Sequence, residues 1–254
     1  MGTRAVTPRR GPVSEGTDSV DAMTRRAVVT GASSGIGEAT ARLLRSRGWE
    51  VVGVARRADR LAALEAETGV VAHAADLTDA ADVAGLSTWL RETGGLDALV
   101  HVAGGARGSD RVEDGDPEDW RWMFEANVLS GQRLVASLLP LLRSAADAGG
   151  HADLLFVTST AAQTAYPGGG GYNAAKAGEA MLVHALRQEL NGEPLRVIEI
   201  APGMVRTEEF SLNRLGGNQE AADKLYAGVE APLLADDVAD VIAYALDAPG
   251  HVNL

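Results

Sequence analysis

Short apolar, β-branched runs alternate along this chain with longer segments in which apolar residues recur every three or four positions. The first run, residues 26–30 (RAVVT), passes through a glycine turn into a helix-period segment over 36–47 that stops at Gly48. Residues 49–55 (WEVVGVA) read as a second strand, followed by a helix through Leu61, Leu64 and Glu67. A third strand near 70–74 ends before Asp76, and Thr78 with Asp79 offers a cap for the next helix. Residues 96–102 (LDALVHV) form the fourth strand, and a long helix is expected from Pro117, a favoured first-turn residue, to about Arg143. A fifth strand over 153–158, a helix over 172–190 and a sixth strand over 195–200 come next. A loop with short helices over 203–230 and a helix over 236–246 close the chain. Strands that alternate with helices pair in parallel, because each helix returns the chain to the same end of the sheet. The pattern predicts one α/β domain, a parallel sheet with helices on both faces.

Residues 1–22 break the pattern. They are rich in Gly, Pro, Ser, Thr and charge, with too few apolar residues to offset the cost of ordering the backbone, so a disordered extension is expected before a domain over 23–254. Charge narrows the partners: 23 Lys and Arg against 35 Asp and Glu give a net charge of -12, which repels nucleic acid and anionic lipid. There is no cysteine, so redox chemistry must come from a bound cofactor. His73, His151, His184 and His251 show no metal-ligand spacing, and no metal is assigned. No apolar run approaches the roughly 18 residues that span a bilayer, and the N-terminus lacks the apolar segment of a secretory signal, which points to a cytoplasmic protein.

Between the first strand and the first helix lies TGASSGIG, residues 30–37. Glycines at that junction let backbone N–H groups approach a pyrophosphate at the helix N-terminus. The candidates there are Gly31, Ser33, Ser34, Gly35, Ile36 and Gly37. The spacing is TGxxxGxG rather than GxGxxG, and in this the chain resembles the classical short-chain dehydrogenases/reductases. The resemblance runs through the chain from Met23. It implies a Rossmann-type doubly wound sheet of six or seven strands in a single domain. In that family a final strand follows the closing helix, and no run offers it before Leu254, so the last strand is open.

That family needs a general acid/base near the reacting oxygen, and the segment YNAAK holds Tyr172 and Lys176, four residues apart on one helix face. A free phenol titrates near pH 10, so the lysine ammonium and the positive nicotinamide ring are expected to favour the phenolate. By resemblance, Lys176 also binds the nicotinamide ribose, Ser159 holds the substrate oxygen and Asn127 anchors a proton-relay water. The second strand ends in Arg56 and Arg57 where NAD-specific folds place an acid, which favours the 2'-phosphate of NADP(H). Arg56 is the stronger candidate, with Ser33 or Ser34 as supporting donors. Asp76 and Leu77 match the adenine position, and Pro202, Gly203, Val205 and Thr207 match the loop that cradles the nicotinamide amide. The family's Asn-Asn-Ala-Gly appears as His101, Val102, Ala103 and Gly104, so the close backbone approach is kept and both asparagine side chains are missing.

Residues 165–169 (AYPGG), 209–211 (EFS) and 249–253 (PGHVN) bring the resemblance closest to the branch of serine 3-dehydrogenase and NADP-dependent 3-hydroxy acid dehydrogenases. The implied activity is NADP(H)-dependent hydride transfer on a small alcohol or carbonyl compound, a 3-hydroxy acid among the candidates. Arg206 and Arg214 could clamp its carboxylate, and Glu208 and Glu209 could cancel them. A 3-oxoacyl thioester reductase shares the fold and the tetrad. A nucleotide-sensing or scaffolding protein is expected to carry a broken tetrad, and this one is complete. Leu134, Leu138, Leu141, Leu142, Met181, Leu182 and Leu186 on the two long helices are expected to pair two subunits, as in the family's homodimers and homotetramers.

Overall fold

The computed structural model describes residues 24–254, so the expected extension over 1–22 and the domain start at Met23 lie outside the described residues. Six strands form one parallel sheet in the order β3-β2-β1-β4-β5-β6. They are β1 (Arg26–Thr30), β2 (Glu50–Ala55), β3 (Val71–Ala74), β4 (Ala98–His101), β5 (Ala152–Val157) and β6 (Leu195–Ile200). The helices around them are α1 (Gly35–Ser46), α2 (Ala58–Thr68), α3 (Ala80–Glu92), α4 (Pro117–Phe124), α5 (Ser130–Gly149), α6 (Gly170–Glu189), α7 (Phe210–Arg214), α8 (Gln219–Leu225) and α9 (Ala235–Asp247).

Successive strand residues point to opposite faces, so each strand feeds two cores. Val28, Val52, Leu99, Leu154 and Phe156 pack with leucines of α3, α5 and α6 on one face. Val29, Val51, Val100, Leu155 and Ile198 pack with α1, α2 and α9 on the other. Burial on both faces is why these strands read as continuous apolar runs rather than alternating ones. The sheet's far end is pinned by charge: the Arg196 guanidinium donates to both carboxylate oxygens of buried Asp153, at 2.6 and 2.9 Å, tying β5 to β6.

β1 lies beside β4, and the order reverses there, which opens a crevice at the carboxyl ends of the strands. The long helix expected over 117–143 is interrupted. α4 passes through a π turn, Glu125–Leu129, into α5, which continues to Gly149. Its leucines Leu134, Leu138, Leu141 and Leu142 are buried in the chain's own core, as is Leu186 of α6, so they do not form the expected subunit surface. Between β6 and α9, two short strands, β7 (Val205–Arg206) and β8 (Leu233–Leu234), pair in parallel and close the loop that carries α7 and α8. Among the described residues no seventh strand joins the main sheet; the Leu254 carbonyl accepts from the Glu199 backbone N–H at its free edge, at 3.2 Å.

Candidate active site

At the end of β1 the chain turns into α1 through Gly31 and Gly35, both at positive φ (69° and 55°). A Cβ on Gly37 would sit 2.3 Å from the Gly31 carbonyl oxygen, so only glycine lets the helix start this close to the turn. Ser34 occupies the N-cap but its hydroxyl does not cap; it accepts instead from Arg57 at 3.0 Å. The first turn of α1 therefore faces the crevice without a side-chain cap, as an anion-binding helix start requires.

The crevice is a cleft of about 760 Å³. Gly31, Ser33, Ser34, Gly35, Ile36, Gly37, Arg56, Arg57, Asp76, Leu77, Ala103 and Gly104 line it from the β1, β2, β3 and β4 ends. Ser159, Tyr172, Lys176, Pro202, Gly203, Val205 and Thr207 line it from the other half. Asn127 alone among the expected residues stands behind the wall. It is fully buried in the π turn, donates to the carbonyls of Met123 (2.6 Å) and Gly105 (2.9 Å), and accepts from the Gly105 N–H (3.1 Å). The widened π turn thus holds the Gly104–Gly105 backbone against the cleft. Thr30 does the same for the residues before it: its hydroxyl accepts from the N–H groups of Val102 and Ala103, each at 3.0 Å, and contacts Nδ1 of His101 at 3.1 Å. Burial together with the Lys176 charge pulls His101 down to about 3, so it is a neutral strand-end residue.

Tyr172 and Lys176 leave α6 on one face, both buried. The protein's own contributions to the phenol oppose one another. Burial pushes it above the usual tyrosine range, and the Lys176 ammonium and Ser159 hydroxyl offset this only in part. Ser159 begins a short 3-10 turn, its hydroxyl accepting from the Ala161 N–H at 3.1 Å, which fixes it beside the phenol. The Lys176 ammonium donates to the Val157 carbonyl at 3.1 Å and to the Glu179 carboxylate at 2.6 Å.

The paired arginines divide their work. Arg57 donates to the hydroxyls of Ser33 (3.0 Å) and Ser34 (3.0 Å) and to the Glu209 carboxylate (2.8 Å). Arg56 is exposed at the cleft rim, and its charge acts on Asp76. Burial pushes the Asp76 carboxyl up, but hydrogen bonds from Thr78 and the Arg56 charge leave it below the usual range. Asp79, not Asp76, caps α3, accepting from the Ala81 N–H at 2.7 Å.

On the substrate side, Trp122 and Phe210 join the lining, and Phe210 meets the Tyr172 ring edge-on at 5.7 Å. Trp122 was not expected, because an aromatic in a helix carries no positional signal of its own. Arg214 lies with its guanidinium 5.8 Å from the Tyr172 ring centre. It donates to the Gly108 and Gly168 carbonyls and the Tyr166 hydroxyl. Arg206, the other candidate, stacks on Tyr226, and neither Arg206 nor Arg214 lines the cleft. Glu209, which could have neutralised the arginines of this loop, is committed to Arg57 instead. Among the described residues no cluster of three His, Cys, Asp or Glu is placed to hold a metal, and no helix is long and apolar enough to cross a membrane.

A glycine cradle at a strand-order reversal, facing a buried Tyr-Lys pair and a serine, defines a dinucleotide-dependent dehydrogenase. Residues 25–214 match the short chain dehydrogenase family, and the chain belongs to that family. It is an oxidoreductase acting on CH–OH groups. An oxidoreductase of Mycobacterium tuberculosis, described as uncharacterized, is 50% identical over 91% of this chain and 88% of its own length. The serine 3-dehydrogenase of Rhizobium radiobacter is 39% identical over 89% of this chain and 90% of its own. A closed form of serine dehydrogenase complexed with NADP+ superposes with a TM-score of 0.85 at 31% identity, covering 90% of this chain and 92% of that one.

Proposed function

We propose that the cleft holds NADP(H) and that the protein interconverts a small alcohol and its carbonyl compound, the substrate carrying an anionic group, as a 3-hydroxy acid does. The cofactor fits the chain's own residues. Backbone can approach closely at Gly31 and Gly37, α1 starts there uncapped, and Arg57, Ser33 and Ser34 form one donor cluster beside exposed Arg56. When bound, NADP(H) supplies or accepts the hydride. The protein's part is the proton. Ser159 holds the substrate oxygen, and Tyr172, protonated over the neutral range because burial dominates, gives it a proton in reduction and takes one back in oxidation. Lys176 keeps a positive charge beside that phenol.

The anionic substrate rests on one observation: Arg214 lies next to the Tyr172 ring with only neutral acceptors. Three of the five N–H donors of a guanidinium are used by these, and none of the three goes to a carboxylate. A guanidinium in that state recognises carboxylate in two-point fashion. The serine named in one relative carries such a group. Arg214→Ala should raise KM for a 3-hydroxy acid by about tenfold or more, the effect of losing roughly 1.5 to 3 kcal/mol of charge-assisted bonding. KM for a neutral alcohol of the same size should hardly change. An unaltered preference between the two compounds in steady-state kinetics would assign the protein to general carbonyl reduction.

A further inference from the structure

One carboxylate in the interior has no part in the mechanism above. Glu179 sits one turn after Lys176 on α6, on the same face, and is fully buried. Its Oε2 accepts from the Lys176 ammonium at 2.6 Å, while Oε1 has no hydrogen-bond partner among the described residues. It does not line the cleft. Stability explains it poorly, because an apolar side chain of similar volume is commonly as good as a buried ion pair or better.

We infer that Glu179 is a positioning residue: it fixes the Lys176 ammonium in the wall of the cleft and, as its counter-charge, sets the pH at which Tyr172 releases its proton. The inference deepens the reading of Tyr172 and Lys176 given above and rests on it. An ammonium has three donors. The Val157 carbonyl and Glu179 take two, which leaves one for the cleft that Lys176 lines. Charge follows the same geometry. Burial pushes the Glu179 carboxyl above the usual range; while it is ionised the Lys-Glu pair is neutral overall, and ionising Tyr172 creates a net negative charge in a buried place. Without it, the lone ammonium makes the phenolate its own counter-ion, so ionisation takes the site from positive to neutral, a much easier step.

The other groups around the site do not replace Glu179. His101 of β4 is neutral. Glu199 of β6 adds negative potential and is bound by the Thr158 hydroxyl at 2.7 Å, with His184 3.4 Å away. Arg214 lies 5.8 Å from the phenol ring centre and holds the Tyr166 hydroxyl, and Tyr166 acts on Tyr172 in the same direction as Glu179. Consistent with the geometry, Glu179 acts to raise Tyr172, and Glu179 and Tyr172 together hold Lys176 above its ordinary range against burial.

The deciding titration needs neither cofactor nor substrate, so it is read separately from the NADP(H) and anion readings. Tyrosinate absorbance at 295 nm is titrated in the whole protein, and the contribution of Tyr172 is isolated by subtracting the Tyr172→Phe version of each background. Glu179→Gln should lower the Tyr172 midpoint by roughly one to three pH units, the reach of an adjacent unit charge. Glu179→Val, which carries the test if the buried amide prevents folding, should shift it in the same direction. Glu179→Asp, which restores the charge, should bring the midpoint back towards wild type. The acid limb of kcat for alcohol oxidation should move with the midpoint. A midpoint that stays in place or rises in the folded variants overturns the inference, and lowered thermal stability alone would make Glu179 a packing residue.

Discussion

Burial and a neighbouring ammonium pull the Tyr172 phenol in opposite directions, and burial dominates. Sequence spacing shows the ammonium but not the burial, so the pattern YNAAK reveals only the contribution that favours the phenolate. Tyr172→Phe keeps the ring and its edge contact with Phe210 while removing the proton. It should lower kcat by about 10² to 10⁴ and leave the dissociation constant for NADPH, read by fluorescence titration, nearly unchanged. Turnover by the Phe variant at the wild-type rate would remove Tyr172 from the mechanism. The missing asparagines after β4 are another matter decided residue by residue. Thr30 was visible only as the first letter of a glycine motif, yet its hydroxyl holds the Val102 and Ala103 backbone, and Asn127 holds Gly105. The loop is fixed by side chains from β1 and the π turn rather than by its own.

At the scale of elements, legibility tracks burial. β1 falls where its apolar run places it, covered on both faces, and β6 keeps its expected bounds although Arg196 and Glu199 interrupt its run at the sheet edge. The π turn was not legible, since one extra residue in a helical turn leaves no period to read. Nor were β7 and β8, whose two residues each are too few to show alternation. The tie between Arg57 and Glu209 joins elements far apart in sequence, the start of α2 and the loop before α7. It makes the two arginines separable. Arg56→Ala and Arg57→Ala should each weaken NADPH by about 1.5 to 3 kcal/mol and leave NADH little affected, because only the 2'-phosphate loses a charged partner. Arg57→Ala alone should also change KM for the substrate, since it frees Glu209 two residues after Thr207 and next to Phe210 in the cleft wall. Equal loss of NADH and NADPH in calorimetric titrations of both variants would make the pair structural.

At the scale of the molecule, the apolar stripes on α5 and α6 suggested a subunit interface, but most of those leucines are the chain's own core. What the core leaves over is smaller and more specific. Phe124 at the end of α4 is 45% exposed and Met181 on α6 is 64% exposed. They share one surface, because Gly178, one turn before Met181, lies against the Phe124 ring and the Val128 side chain. A glycine there lets the helices approach closely and leaves a flat apolar area that a second copy could cover about a two-fold axis. Burying such a side chain contributes about 1.5 to 3 kcal/mol, and a two-fold axis counts each residue twice. The net charge of -12 on each chain opposes association, so pairing should tighten as salt rises. We expect wild-type protein at micromolar concentration to have at least the mass of a dimer by light scattering. Met181→Asp places a charge in the centre of that surface and touches neither core nor cleft. It should give a monomer with an unchanged circular dichroism spectrum. A wild-type monomer would show that this face stays in water, and a Met181→Asp dimer would move the interface elsewhere, the exposed Val241 and Tyr244 of α9 being the next surface to test.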